Sequence, residues 1–221
     1  TKYLLDGFNG QFPNNALTQD HILSTWAGVR PVIGAENSKN PSKERRDHAV
    51  WTDKGLVTVS GGKLTTFRLI ALDALAAAES KLPSPKEFVD DSMFPTPNVN
   101  SDSLLPENTS LAQRLLGRYG EKAKILLENS TANERLTIEE TEFSLAECRW
   151  AIRNEAVKHL DDLLLRRTRL GMCLPNGGDS LFPVLKALFF SERNWDDELW
   201  QKELDRYKAI WQRHYSLPQK S

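Results

Sequence analysis

Five prolines, Pro83, Pro85, Pro95, Pro97 and Pro106, fall among Ser, Asn and Asp between residues 81 and 107. Proline lacks a backbone donor and is excluded from helix interiors and central strands, so no regular element can run through this stretch. The chain is thereby divided, and its two sides differ in hydrophobic period. Residues 1–80 mix short runs of period two with one helical run, whereas from Asn108 onward the pattern is almost entirely helical. The sequence therefore predicts an α+β segment over 1–80, a Pro-rich linker over 81–107 and an all-α helical bundle over 108–221, mainly α overall.

Within the first segment, Leu17-Thr18-Gln19-Asp20 offers a capped turn, and Ile22 to Ile33 is rich enough in β-branched and aromatic residues for a strand. Gly28 and Pro31 would confine that strand to an edge, a bulge or a close ligand approach. A polar loop from Gly34 to Arg46 leads to two strands, Asp47–Thr52 and Leu56–Ser60, joined as a hairpin by Asp53-Lys54-Gly55. After Gly61-Gly62 the period changes: Phe67, Ile70, Ala71, Ala74, Leu75 and Ala78 fall on one helical face.

In the second segment, Leu111, Leu115 and Leu116 lead to a helix stop at Gly117-Arg118-Tyr119-Gly120, and Ala123, Leu126 and Leu127 begin another helix. Phe143 to Leu170 reads as the longest helix, with a stripe including Cys148, Ile152, Leu160 and Leu164, an Asp162/Arg166 pair and Gly171 as its stop. His159 would face Glu155 across one turn of it. The final helix begins near Asn194 and buries Trp200, Leu204, Tyr207 and Trp211.

Charge narrows the function classes. With 29 Lys and Arg against 30 Asp and Glu, the net charge of −1 provides no global field for nucleic acid. Any anion must be held by a local site. Cys148 and Cys173 lack metal-ligand spacing, as do His21, His48, His159 and His214, so no metal centre is expected and each thiol reads as buried and structural. No apolar run approaches the ~20 residues that span a bilayer. The chain starts Thr1-Lys2-Tyr3 without Met or a leader pattern, which reads as a piece of something longer.

Two constellations carry chemistry. In Leu56-Val57-Thr58-Val59-Ser60-Gly61-Gly62-Lys63-Leu64-Thr65-Thr66-Phe67-Arg68, a strand enters two glycines and then a helix, leaving unpaired N–H groups at the positive end beside a lysine. It is not a P-loop, because Val57 and Leu64 stand where that motif needs Gly and Ser or Thr. A plain glycine turn with Thr65 or Thr66 as N-cap is the alternative. The second is Ser24-Thr25-Trp26-Ala27-Gly28-Val29-Arg30-Pro31, where Arg30 in apolar company needs a planar partner. A phosphate or carboxylate ligand fits it, and so does an internal Asp or Glu.

Thr25 to Pro31, Ser60 to Arg68, and Arg149-Trp150-Ala151-Ile152-Arg153-Asn154-Glu155 through Arg166-Arg167-Thr168-Arg169-Leu170-Gly171 resemble, in this order, segments of the FAD-dependent glycerol-3-phosphate dehydrogenases and the related glycerophosphate oxidases. The resemblance covers essentially the whole chain. It implies a flavoenzyme of the D-amino-acid-oxidase type: an FAD and substrate domain, of which residues 1–80 are the closing portion, capped by the helical domain. By resemblance Arg30 grips the substrate phosphate, and Lys63 lies at both substrate and flavin. The backbone of Gly61, Gly62, Lys63, Leu64 and Thr65 approaches the flavin's pyrimidine edge. The implied reaction oxidises sn-glycerol 3-phosphate to dihydroxyacetone phosphate, with electrons passing to a quinone; oxygen as acceptor and a non-catalytic helical interaction module are the alternatives.

The family's Gly-x-Gly-x-x-Gly dinucleotide turn has no counterpart among the twelve glycines. The expectation is that this chain alone holds no tightly bound FAD and no activity, and no catalytic residue is assigned to it. The absence of an Asp-rich calcium loop points to a bacterial type. The implied location is cytoplasmic, at the inner face of the membrane, with homodimerisation left open.

Overall fold

The computed structural model describes residues 1–29, 47–83 and 100–217, which divide into two units: Thr1–Ala27 together with Pro95–Ser221, and Gly28–Phe94. The first 27 residues thus group with the helical part and not with the hairpin that follows them. Helix α1, Lys2–Gln11, opens the larger unit, followed by a short turn at Gln19–His21 capped by Thr18. From Ile22 to Val29 there is no strand, contrary to the expectation for Ile22–Ile33, whose remainder lies outside the described residues. Its backbone partners explain this: Thr25 donates its N–H to the Tyr215 carbonyl at 2.8 Å and its hydroxyl to the Ser216 carbonyl at 3.0 Å, while Ser24 donates to Met172. The segment is tied down by helix ends instead of a ladder.

The smaller unit starts from the hairpin. Strands β1, His48–Asp53, and β2, Leu56–Gly61, pair antiparallel from His48 opposite Gly61 to Asp53 opposite Leu56. Lys54 and Gly55 take φ of 48° and 85°, the two left-handed positions a two-residue hairpin turn demands. A single 3-10 turn, Leu64–Thr66, leads into α2, Phe67–Ala78, where the period-four face begins. None of the described residues of this unit is fully buried, and Trp51 and Leu56 are exposed. The preceding loop from Gly34 and most of the proline stretch lie outside the described residues.

In the larger unit, helical structure resumes at α3, Ser101–Leu104, within the stretch expected to be linker. Helices α4, Thr109–Tyr119, and α5, Lys122–Glu128, follow, with Gly120 at φ 58° stopping α4 as its position suggested. Ala112, Leu115, Ala123, Leu126 and Leu127 pack with Ala146 into one cluster. The long helix expected over Phe143–Leu170 is instead broken. Helix α6, Leu145–Asn154, ends at Glu155, and Ala156 takes a left-handed φ of 53°. Asp162 then accepts the N–H groups of Lys158 and His159 at 3.0 and 2.9 Å, ahead of a π-helical turn, Asp162–Arg167. A side chain that takes these backbone donors competes with continuation of the helix.

The break redirects His159, which pairs through Nδ1 with Glu203 at 3.0 Å and not with Glu155. Gly171 does not stop a helix either: it sits buried inside α7, Leu170–Cys173, where any side chain would run into the Tyr207 hydroxyl. Helices α8, Phe182–Arg193, and α9, Asp197–His214, complete the chain, the latter capped by Asp196. Ile152, Leu160, Leu164, Leu185, Phe189 and Tyr207 form the main core, with Trp211 at its edge donating Nε1–H to the Gly171 carbonyl at 2.7 Å. Cys148 is buried as expected, and its thiol is pushed up to about 12 by desolvation and by neighbouring Glu147. Cys173 is exposed, against expectation.

Ion pairs bind these helices together. Asp161 is buried and paired with both Arg166 and Arg206, and Arg149 joins Glu134 to Glu192. Burial raises Asp161, but the two guanidiniums outweigh it and hold the carboxyl below its ordinary range. At Glu134, burial is likewise offset by the Thr131 amide and Arg149, and Arg153 lowers Glu192 against burial. Folded-state values below the unfolded ones mean that the stabilisation is whole above the unfolded carboxylate range, near pH 4, and is lost as pH falls through and below it. Thermal unfolding followed from pH 7 to pH 3 should show a flat melting temperature that declines steeply only below about pH 4.5; a melting temperature unchanged at pH 3 contradicts this.

Candidate functional site

The glycine turn is built by the handover from β2 to α2. Gly61 and Gly62 both lie in left-handed conformation, φ 76° and 85°, so the chain can turn sharply where a side-chain-bearing residue would be strained. The turn also has no room for one. A Cβ on Gly62 would lie 2.5 Å from Ile70 Cδ1 and 3.2 Å from His48 Cβ. Lys63 returns to extended backbone at φ −127°, is exposed, and precedes the 3-10 turn. Leu64 is 88% exposed.

The first N–H groups of a helical turn have no acceptor within it. Thr66 does not supply one: its hydroxyl donates back to the Lys63 carbonyl at 3.0 Å, and no side chain caps either the 3-10 turn or α2. The result is an exposed stretch of backbone, uncapped by any side chain, leading into the positive end of a 12-residue helix and carrying Lys63. This edge suits negative charge or the carbonyl acceptors of a flat heterocycle. A flavin fits it on that ground.

Gly61, Gly62, Lys63, Leu64 and Thr65 therefore form one continuous edge. Arg30 lies outside the described residues. His48, in which sequence reasoning saw only the lack of metal-ligand spacing, and Asp73, which it did not single out, pair at 2.6 Å beneath the turn. Nothing local in the sequence joins His48 to a residue 25 positions away. Among the described residues, no cluster of His, Cys, Asp and Glu could hold a metal ion, and no helix is long and apolar enough to cross a membrane.

Comparison with known proteins places the chain in a class. Residues 97–199 match the model of the C-terminal domain of α-glycerophosphate oxidase. Over 208 residues, 86% of its length, the chain is 28% identical to the mitochondrial glycerol-3-phosphate dehydrogenase of Macaca fascicularis, covering 28% of that protein. It is 30% identical over 75% of its length to the aerobic glycerol-3-phosphate dehydrogenase of Staphylococcus haemolyticus, covering 33% of it. With the Staphylococcus aureus (strain USA300) enzyme of the same name, identity is 43% over 81 residues, 36% of this chain and 14% of that one. Over most of its length the chain matches a C-terminal portion of the glycerol-3-phosphate dehydrogenases. It spans about a third or less of the length of these relatives.

Proposed function

We propose that the chain contributes the phosphate grip and one wall of the flavin site to an FAD-dependent oxidation of sn-glycerol 3-phosphate to dihydroxyacetone phosphate. The observation that carries this reading is the uncapped Gly61-Gly62-Lys63 edge at the start of α2. In it, Lys63 and Arg30 converge on the substrate phosphate: the guanidinium supplies a planar fork for two oxygens and the ammonium a compact charge. The backbone from Gly61 to Thr65 would hold the flavin, and the positive end of α2 would favour negative charge on it. Hydride acceptance would be the chemistry a bound flavin supplies; this chain's residues would supply orientation and charge.

The family and its relatives' names support a glycerol-3-phosphate dehydrogenase of this kind. We assign the electrons to a quinone, at a membrane surface to which the enzyme attaches peripherally on its cytoplasmic side. The match to an α-glycerophosphate oxidase domain favours, as the second reading, oxygen as acceptor. Oxygen consumption by the complete enzyme, with and without a quinone analogue, separates the two.

In a complete enzyme carrying this chain, Arg30→Lys keeps the charge and loses the fork. A loss of about 2 kcal/mol in substrate recognition is expected, taking a charged hydrogen bond at its usual worth, or roughly a thirty-fold fall in kcat/KM. The flavin spectrum should be unchanged. An Arg30 that instead pairs with an internal carboxylate gives the reverse result: normal kinetic constants with a depressed melting temperature.

A further inference from the structure

The glycine turn rests on two residues that have no part in the reading above. His48 stands opposite Gly61 in the hairpin register, and its Cβ lies 3.2 Å from where a Gly62 side chain would begin. Ile70, the other residue pressed against Gly62, shares a face of α2 with Asp73, three positions on. The imidazole is 15% exposed and meets the half-exposed Asp73 carboxylate at 2.6 Å. A carboxylate only accepts, so Nε2–H of His48 is the donor. The bond crosses directly under the turn, from the strand that enters the hairpin to the helix that leaves the turn.

We propose that His48 and Asp73 are a positioning pair that sets the Gly61-Gly62-Lys63 edge for its anionic ligand. The hairpin fixes β1 against β2, and the pair fixes α2 against β1. With both ends held, the turn between them has one conformation, and its amides and Lys63 are presented together. Without the pair, α2 loses a charged tie to the hairpin at the turn itself, and the two left-handed glycines, the residues with the widest conformational choice, become the joint about which it moves. The ligand half of this proposal rests on the anion-site reading; the conformational half does not.

The test uses the chain as it is. In 15N-labelled protein, Asp73→Asn and His48→Ala should displace or broaden the amide resonances of Gly61, Gly62 and Lys63 while leaving those of α6 to α9 in place. The exchanged pair, His48→Asp with Asp73→His, should bring the turn resonances back. Titration with inorganic phosphate should shift the Lys63 to Thr65 amides, and both single variants should weaken that binding roughly fivefold, the worth of one ordinary hydrogen bond, with recovery in the exchanged pair. Turn resonances unmoved in the half-exposed, well-tolerated Asp73→Asn variant would overturn the positioning role. So would an exchanged pair that keeps the hairpin but not the turn. Phosphate that leaves the native Lys63 to Thr65 amides unmoved overturns the anion reading alone, because the resonances still judge the pair.

Discussion

Replacing Glu147 by alanine should cost the helical unit about 3–5 kcal/mol, the usual consequence of removing one partner from a buried charge pair. Glu147 is fully buried. Its carboxylate accepts both ends of the Arg114 guanidinium, the Tyr119 hydroxyl at 3.1 Å, and the Ser144 N–H and hydroxyl at 3.0 and 3.2 Å. Deletion leaves four donor groups facing a cavity, and Arg114 as a charge with little water to replace its partner, since its side chain is only 21% exposed. It also removes half of the capping box that starts α6. Because the same carboxylate ties α4 to α6, the two core clusters should loosen together, with a melting temperature lower by on the order of 10 °C or more. Glu147→Gln, which keeps shape and one acceptor, should fall between. A drop of only a degree or two for the alanine variant would show that the network contributes no net stability.

Substituting Gly62 by alanine is the second large effect. A left-handed φ costs a residue with a Cβ roughly 1–2 kcal/mol, and the methyl carbon would press on His48 Cβ at 3.2 Å while the end of Ile70 swings aside. The cost, about 2 kcal/mol, falls on a hairpin and helix with no fully buried residue among those described. Local unfolding of this unit should follow while α6 to α9 keep their hydrogen-exchange protection. In a complete enzyme, loss of flavin from the purified protein should accompany it. Retention of flavin with normal exchange in β2 would mean that the turn relaxes around the methyl group without consequence.

The legible parts of the fold were those written locally. Lys54-Gly55 between two alternating runs specifies its hairpin, and the change of period after Gly62 specifies α2. Asp196 before an apolar face specifies the start of α9. Where the reading failed, the deciding partner was remote. The apolar stripe from Phe143 to Leu170 is continuous in sequence, yet Ala156 turns left-handed within it; the Asp162 carboxylate that takes the Lys158 and His159 amides looks, in sequence, like a simple helical ion pair with Arg166. Gly171 looks like a stop until Tyr207, brought in by α9, shows that it is a place where only hydrogen fits. At the site, the glycine edge could be read because it is contiguous, whereas the His48 and Asp73 support depends on a helix folding back over a hairpin.

The ties from Thr25 to Tyr215 and Ser216 set an order on how the larger unit comes together. Their ends are 190 and 191 residues apart along the chain, so closing them early would cost a very large loop for two hydrogen bonds. On a ribosome, the segment from Ile22 to Ala27 emerges long before the helix end that receives it exists. It must wait, solvated, until α9 has docked. A segment made earlier than its partners is therefore among the last of this unit to find its place, and a chain halted before residue 215 should be cut around Ser24 and Thr25 by proteases that spare the finished protein.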